Sequence, residues 1–409
     1  MKYDFTTILD RKGKDAIALD ALGVNNGFAP DAPKHGFDAI PMWVADMNFP
    51  VLPTIQEAII ERTKHPAFGY FSPRKEYFEE IIHWQERKNG VTGLTKKHIG
   101  YENGVLGGLV SAMNVFCSRG DKILVHAPTY IGFTNCMKNN GYELVLSPLN
   151  LDENKIWRMD FEDMEQKLAK EKIHAAIFCS PHNPCGRVWE RWEIEKAMDL
   201  FRKYDVFVVS DEIWSDLTLD GYSHIPTQSV SEDAKMRTVA LYAPSKTFNL
   251  AGLIGSYHIV YNSRIHDRMK KESSLCHYND MNVLSMYALI GAYRPEGYEW
   301  VDELRHVLTG NVNFACDYIE THFEGVTCAK PQGTYMLFLD CTAWCQKHGK
   351  SIDELEHALW DVGVAVQDGR MFHGPCHIRM NLALPKARVE EAFHRMDAYV
   401  FNADAKTTY

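Results

Sequence analysis

The sequence has no apolar run longer than a single strand needs, so no segment is expected to span a membrane. It has no cluster of basic residues. Its 44 lysines and arginines are outnumbered by 54 aspartates and glutamates, a formal net charge of −10 that argues against a nucleic-acid surface. The first residues, Met1 to Thr6, hold no apolar signal core. There are ten cysteines but no CxxC pair, and several, such as Cys179, sit inside apolar strand patterns. Reduced thiols and a cytoplasmic location are the expectations. Cys341 and Cys345 flank Trp344 at helical spacing and read as core or surface. His373 and His377 are four apart, but Gly374-Pro375 between them forbids the helix that would turn both rings to one ion, so no metal site is expected. Internal repeats and low-complexity stretches are lacking too.

What is present is ordinary for a globular chain: 409 residues, 45% apolar and 24% charged, enough for two domains. Residues 1 to about 40 are polar and interrupted by Gly27, Pro30, Pro33 and Gly36, and read as an arm. Met42–Asp46 reads as a short strand. Helices are expected over Pro53–Lys64 and Lys75–Lys88, the second with Phe78, Ile81, Ile82 and Gln85 on the helical period. Apolar runs at Lys122–His126, Tyr142–Leu146, Ala175–Cys179, Val206–Asp211, Thr238–Tyr242 and Tyr257–Tyr261 read as strands alternating with helices. That alternation predicts an α/β fold with a mostly parallel sheet covered on both faces. A helical stretch from Val283 to Phe323, broken at Arg294-Pro295-Glu296-Gly297, leads to a smaller C-terminal part. That part has strands at Thr334–Leu339 and His377–Met380 and helices at Asp353–Trp360 and Ala387–Val400.

The residues able to do chemistry stand at strand ends. Thr238–Tyr242 runs into Ala243-Pro244-Ser245-Lys246-Thr247-Phe248-Asn249-Leu250-Ala251-Gly252, which places one lysine on a tight loop among small and apolar neighbours. An ammonium there is poorly solvated, so its pKa falls and its amine becomes a nucleophile able to form an imine with an aldehyde. Ala175–Cys179 ends in Ser180-Pro181-His182-Asn183-Pro184-Cys185-Gly186, and Val206–Ser210 stops at Asp211-Glu212. In open α/β sheets, ligands bind at such carboxyl ends. Pyridoxal phosphate fits the three residue types: it needs a lysine for the imine, a carboxylate to keep its pyridine nitrogen protonated, and a donor to its phenolic oxygen, which an asparagine amide supplies. Tyr101–Gly104 is a glycine turn opening into a helix at Val105-Leu106, whose free amides and dipole suit a phosphate. Arg379, in the apolar context Ile378-Arg379-Met380, would be costly to bury unpaired. A substrate carboxylate or an internal salt bridge would satisfy it.

With Ile40–Phe49, Gln332-Gly333-Thr334-Tyr335 and Ile378–Ala383 added, the chain resembles fold-type I pyridoxal-phosphate enzymes of the class I/II aminotransferase superfamily. More closely it resembles the carbon–sulfur β-lyase (cystathionine β-lyase) branch of MalY/PatB type. The resemblance runs from residue 40 to 385. It implies an aspartate aminotransferase-like large domain with a seven-stranded-type sheet over 49–285, a small C-terminal domain over 286–409, and an arm over 1–48 that partly joins the small domain. It implies Lys246 as the catalytic lysine. Cofactor contacts would come from Gly104, Val105, Leu106, Tyr130 (stacked on the pyridine), Asn183, Asp211, Trp214 and Ser245, with Tyr70 reaching across a homodimer interface to the neighbour's phosphate. Arg379, Trp43, Ala45 and Asn183 would meet the substrate. For Trp43, a buried edge strand serves equally well. The Asn183–Pro184 bond is the expected cis peptide, since the loop must turn sharply while aiming the amide, and proline is the residue for which cis is cheap.

Four positions, in three departures, differ from the aminotransferase pattern. Ile254 stands where many aminotransferases carry a phosphate-binding arginine eight residues after the lysine. Trp214 replaces a tyrosine three residues after the aspartate, and Ser180 and Cys185 replace Asn and Thr around Pro-His-Asn-Pro. The first two favour β-elimination from cystathionine or a related S-substituted cysteine, giving thiol, pyruvate and ammonia. Transamination of an L-amino acid is the alternative. A protein that only binds a regulator is a third reading, against which the full catalytic set argues.

Overall fold

A computed structural model describes residues 1–24, 27–34, 36–276 and 279–402. The strands in chain order are β1 (Ile40–Pro41), β2 (Ile99–Glu102), β3 (Lys122–Ala127), β4 (Glu143–Leu151), β5 (Trp157–Met159), β6 (Ile173–Cys179), β7 (Phe207–Asp211), β8 (Thr238–Tyr242), β9 (Ser256–Ile259), β10 (Thr327–Cys328), β11 (Met336–Asp340), β12 (Val364–Ala365), β13 (Gln367–Asp368) and β14 (His377–Asn381). The central sheet has the order β2-β9-β8-β7-β6-β3-β4-β5. Five neighbours, from β8 across to β4, run parallel; β9 is antiparallel to β8 and β2, and β5 to β4. The sheet thus has eight strands, one more than the resemblance implies. The extra one is β5, three residues on the edge.

The apolar runs of β6, β7 and β8 need two covered faces, and they have them. Ile177, Val209, Val239 and Leu241 pack with Leu109, Ala112 and Met113 of the helix Val105–Phe116. On the other face Ala176, Phe178 and Val208 pack with Ile194, Ala197, Met198 and Phe201 of the helix Arg191–Lys203. Successive residues of β6 and β7 alternate between the two clusters, as the pleat demands, while Ala240 of β8 turns to a third cluster. The register aligns Cys179 with Asp211 and Asp211 with Leu241, so the carboxyl ends of β6, β7 and β8 lie side by side.

The helices Val283–Ala292 and Pro295–His322 follow, the second opened by Pro295 at its first position. Beyond them, β10-β11-β14-β13 form a four-stranded antiparallel sheet. The arm adds a separate two-stranded parallel pair, β1 with β12, and meets β14 directly where the Asn381 N–H donates to the Met42 carbonyl at 2.7 Å. Two local expectations are corrected. Residues 42–46 are not a strand: pairing stops at Pro41, and the backbone bends through 43–46. The segment after β8 is a one-turn helix, Pro244–Thr247, and not an open loop, because proline at a first helical position starts a turn as readily as it stops a strand.

Candidate active site

A cavity of about 300 Å³ opens at the carboxyl ends of β6, β7 and β8. It is lined by Ala45, Asn103, Gly104, Val105, Leu106, Tyr130, Phe133, Cys179, Asn183, Asp211, Ile213, Trp214, Ser245, Lys246, Ala251, Ile254 and Gly255.

Lys246 is held on its short helix by a chain of buried bonds. Phe248 N–H donates to the Pro244 carbonyl at 2.9 Å, and Thr247 Oγ1 donates to Asp216 at 2.9 Å. The same carboxylate accepts from Trp84 Nε1 at 3.0 Å, and Trp84 is stacked between Tyr293 and Tyr298. The ammonium donates to the Ala45 carbonyl at 2.7 Å and lies 5.6 Å from the centre of the Trp214 ring. Burial lowers its pKa to about 8, and Arg379 adds to the fall; Asp46 and Asp211 oppose it.

Asp211 ends β7 and is buried. Burial pushes its carboxyl up to about 7, against the pull of the Ile213 N–H, which donates to it at 3.1 Å, and of Lys246. Its neighbour Glu212 turns the other way, into the protein. Burial would raise Glu212 too, but His224 at 2.7 Å, Tyr242 and Ser210 outweigh it and hold that carboxylate low. Adjacent carboxyls thus have opposite environments: one satisfied inside the sheet, one facing the cavity with a single backbone donor.

Asn183 is buried on the loop after β6, and its Oδ1 accepts from Arg379 Nη1 at 3.4 Å. The Asn183–Pro184 peptide is cis, as are Ser180–Pro181 and Ala127–Pro128. Tyr130 sits at the start of the helix Ile131–Asn139 with its ring over Gly132; a Cβ there would lie 2.2 Å from Tyr130 Cε1. Burial raises the Tyr130 pKa, so the phenol stays neutral. Gly104 caps the helix Val105–Phe116 with φ +78, a conformation that favours glycine, and Val105 and Leu106, at the first helical positions where amides lack intrahelical partners, line the cavity.

Arg379, on β14, lies behind this group and is 3% exposed. Its Nη2 donates to the Trp43 carbonyl at 3.0 Å and to Gln367 Oε1, and its guanidinium lies 4.3 Å from the Phe372 ring centre. Its Nε has no partner, and no described carboxylate lies within ion-pair distance of it, which excludes an internal salt bridge among the described residues. Burial lowers its pKa to about 10.

Two expected residues stand apart from this cluster. The Trp43 indole is fully buried and donates from Nε1 to the Ala18 carbonyl at 3.0 Å, so what Trp43 offers the site is its own carbonyl. Tyr70 is fully exposed and outside the lining of the cavity in its own chain. Among the described residues no group of three or more His, Cys, Asp or Glu is placed to hold a metal ion, and no helix is long and apolar enough to cross a membrane.

Sequence reasoning missed the residues that fix the 43–47 segment. Asn381 Nδ2 donates to the Val44 and Asp46 carbonyls at 2.7 and 2.6 Å. Asn249, at φ +58, donates from Nδ2 to the Met47 carbonyl and accepts from the Met47 N–H. Tyr335 OH donates to the Ala45 carbonyl at 3.0 Å, and Arg11 from the arm pairs with Asp46. Asn381 and Asn249 lie inside motif strings already singled out; Gln367 carries no signal of its own.

The chain belongs to the aminotransferase class I and II family, which it matches over residues 39–396. It is 34% identical over 396 residues to cystathionine beta-lyase PatB of Bacillus subtilis (strain 168), covering 95% of this chain and 97% of that one. It is 29% identical to protein MalY of Escherichia coli (strain K12), covering 95% and 96%. Among solved structures it is similar to the pyridoxal-phosphate-bound C–S lyase from Staphylococcus hominis, at 28% identity and a TM-score of 0.87, covering 97% and 98%.

Proposed function

We propose that the protein is a pyridoxal-phosphate-dependent carbon–sulfur β-lyase that cleaves cystathionine or a related S-substituted cysteine to thiol, pyruvate and ammonia. The observation that carries this reading is the set Lys246, Asp211 and Asn183 on three adjoining strand ends around one cavity, with Arg379 buried beside it and lacking a carboxylate partner. This donor set fits the cofactor. Lys246 would hold its aldehyde carbon, Asp211 its pyridine nitrogen, Asn183 its phenolic oxygen and Tyr130 its ring face. The Val105 and Leu106 amides with Ser245 would hold its phosphate. A cationic nitrogen beside Asp211 would return that carboxyl to the ionised form it resists when alone.

Bound there, pyridoxal phosphate supplies a sink for the electron pair left when a proton leaves the substrate's α-carbon. The chain's own residues do the rest. Arg379, with its unpartnered Nε, receives the substrate carboxylate as a charge-assisted pair and fixes the α-carbon relative to Lys246. Lys246, whose pKa is about 8, is neutral often enough near neutral pH to take that proton, and it can return it to the departing sulfur. Ile254 supports elimination over transamination. It lines the cavity where an aminotransferase would set a cation, and it holds φ +45, strained for a β-branched residue.

The working unit we infer is a homodimer in the cytoplasm. The fully exposed Tyr70, with exposed Ile60 and Phe68, supports a surface covered by a second copy. The two-part division into 49–285 and 286–409, with the arm over 1–48 joined through β1 and β12, goes with this reading. The deciding experiment runs an S-alkyl cysteine, and separately an ordinary amino acid with a keto-acid acceptor. Pyruvate with free thiol is the expected result. Stoichiometric amination of the acceptor without pyruvate replaces the lyase with an aminotransferase.

A further inference from the structure

Behind the phosphate side of the cavity lies a buried polar cluster that the mechanism does not use. Glu102 ends β2 and is 1% exposed. Its two oxygens have different partners: Oε1 meets His258 Nδ1 at 2.8 Å, and Oε2 accepts from Asn279 Nδ2 at 2.7 Å. Asn279 is buried too, and its Nδ2 also donates to Ser111 Oγ at 3.1 Å, on the helix Val105–Phe116. Its Oδ1 accepts from the Asn103 N–H at 3.0 Å. The Glu102 carbonyl in turn accepts from the Gly104 N–H at 2.9 Å and from Ser256 Oγ at 3.0 Å.

One carboxamide therefore ties together the strand end, the glycine turn and the helix that follows. The arrangement is tightly made: a Cβ on Gly100 would lie 2.3 Å from the His258 ring, and one on Gly108 3.0 Å from Glu102 Cγ. A carboxylate buried at the foot of a helix start is a cost that folding alone does not require. Here its two oxygens, one on His258 and one on Asn279, are used to orient the turn. The N–H groups of Asn103 and Gly104 are consumed by this scaffold, and those of the first helical turn, from Val105 onward, remain without intrahelical partners.

We propose that Asn279 is a positioning residue for the cofactor phosphate. Backed by Glu102 and His258, it fixes the Asn103–Gly104 turn so that the Val105 and Leu106 amides converge on the anion. Resting on the function proposed above, this extends the site to a loop more than 170 residues away in sequence. Glu102, Ser111, His258 and Asn279 do not line the cavity, whereas Asn103 and Gly104 do, so the loss of the network would be felt through that turn.

The test compares pyridoxal phosphate with phosphate-free pyridoxal on the apo protein, by absorbance titration, with thermal denaturation of each apo form alongside. Asn279→Ala should weaken pyridoxal phosphate binding about tenfold, the size of one or two hydrogen bonds, and leave pyridoxal within about twofold. Glu102→Gln keeps the length and one acceptor oxygen. It serves if Asn279→Ala does not fold, with about a threefold loss of the same phosphate selectivity expected. Equal weakening of both ligands, or no weakening of either, overturns the positioning role and leaves the active-site reading intact. Wild-type protein that binds neither ligand overturns both.

Discussion

The lowered pKa of Lys246 can be tested directly, and its sign can be worked from its neighbours. An ordinary lysine at 10.5 is neutral in about one molecule per thousand at pH 7.5, whereas one at about 8 is neutral in about a quarter. Burial is the main cause, Arg379 pushes in the same direction, and Asp211 and Asp46 oppose. Arg379→Leu therefore removes a cation and should move the Lys246 midpoint above 8, yet keep it below 10.5 because burial remains. Asp211→Asn removes an anion that favours the ammonium and should move the midpoint below 8. The assay is competitive labelling of the apo protein by an amine-reactive reagent across about pH 6 to 11, with modification at Lys246 followed by mass spectrometry. A wild-type midpoint above 10, or shifts of the same sign in both variants, would refute the reasoning.

Three further outcomes follow from the geometry. Lys246→Ala should abolish the imine absorbance on the protein and slow α-proton exchange about 10²- to 10⁴-fold, read by loss of solvent deuterium incorporation. Gly132→Ala places a methyl 2.2 Å from the Tyr130 ring and should displace it, weakening cofactor retention by about 1–3 kcal/mol while the far-ultraviolet circular dichroism stays unchanged. Asn381→Ala removes bonds to Val44, Asp46 and the Ala383 N–H, and should cost about 3 kcal/mol in chemical denaturation at roughly 1 kcal/mol per bond. An unchanged denaturation midpoint would show that the 43–47 segment is held by other means.

Lys246, Asp211 and Asn183 were legible because each closes an apolar run with a polar residue, and parallel strands bring such closings to one edge. Gly104 was legible as a glycine turn before a helix, and Tyr130 only through the family resemblance. Strand-end logic could not reach contacts made across hundreds of residues by ordinary amides, such as Asn381 to Val44 or Gln367 to Arg379. Periodicity reports which face of an element is buried, not which distant carbonyl that face meets. At Trp43 two readings stood level, and the buried one describes the ring. A large aromatic in a motif draws attention to its ring, while the ring here is core and the main chain meets Arg379. The one-turn helix at Lys246 was read as a loop because proline serves equally as a stop and as a first helical residue.

The bend at 43–46 bonds both cations of the proposed site through its backbone: the Trp43 carbonyl takes Arg379 and the Ala45 carbonyl takes Lys246. Neutral oxygens of this kind bind a cation less tightly than a carboxylate would, so both cations are parked where an incoming anionic ligand can outcompete the host. The segment is thus an interlock whose spelling is looser than its spacing. Exchanging Ala45 for another small residue keeps both carbonyls in place, whereas deleting one residue between 43 and 46 would unseat the two cations together.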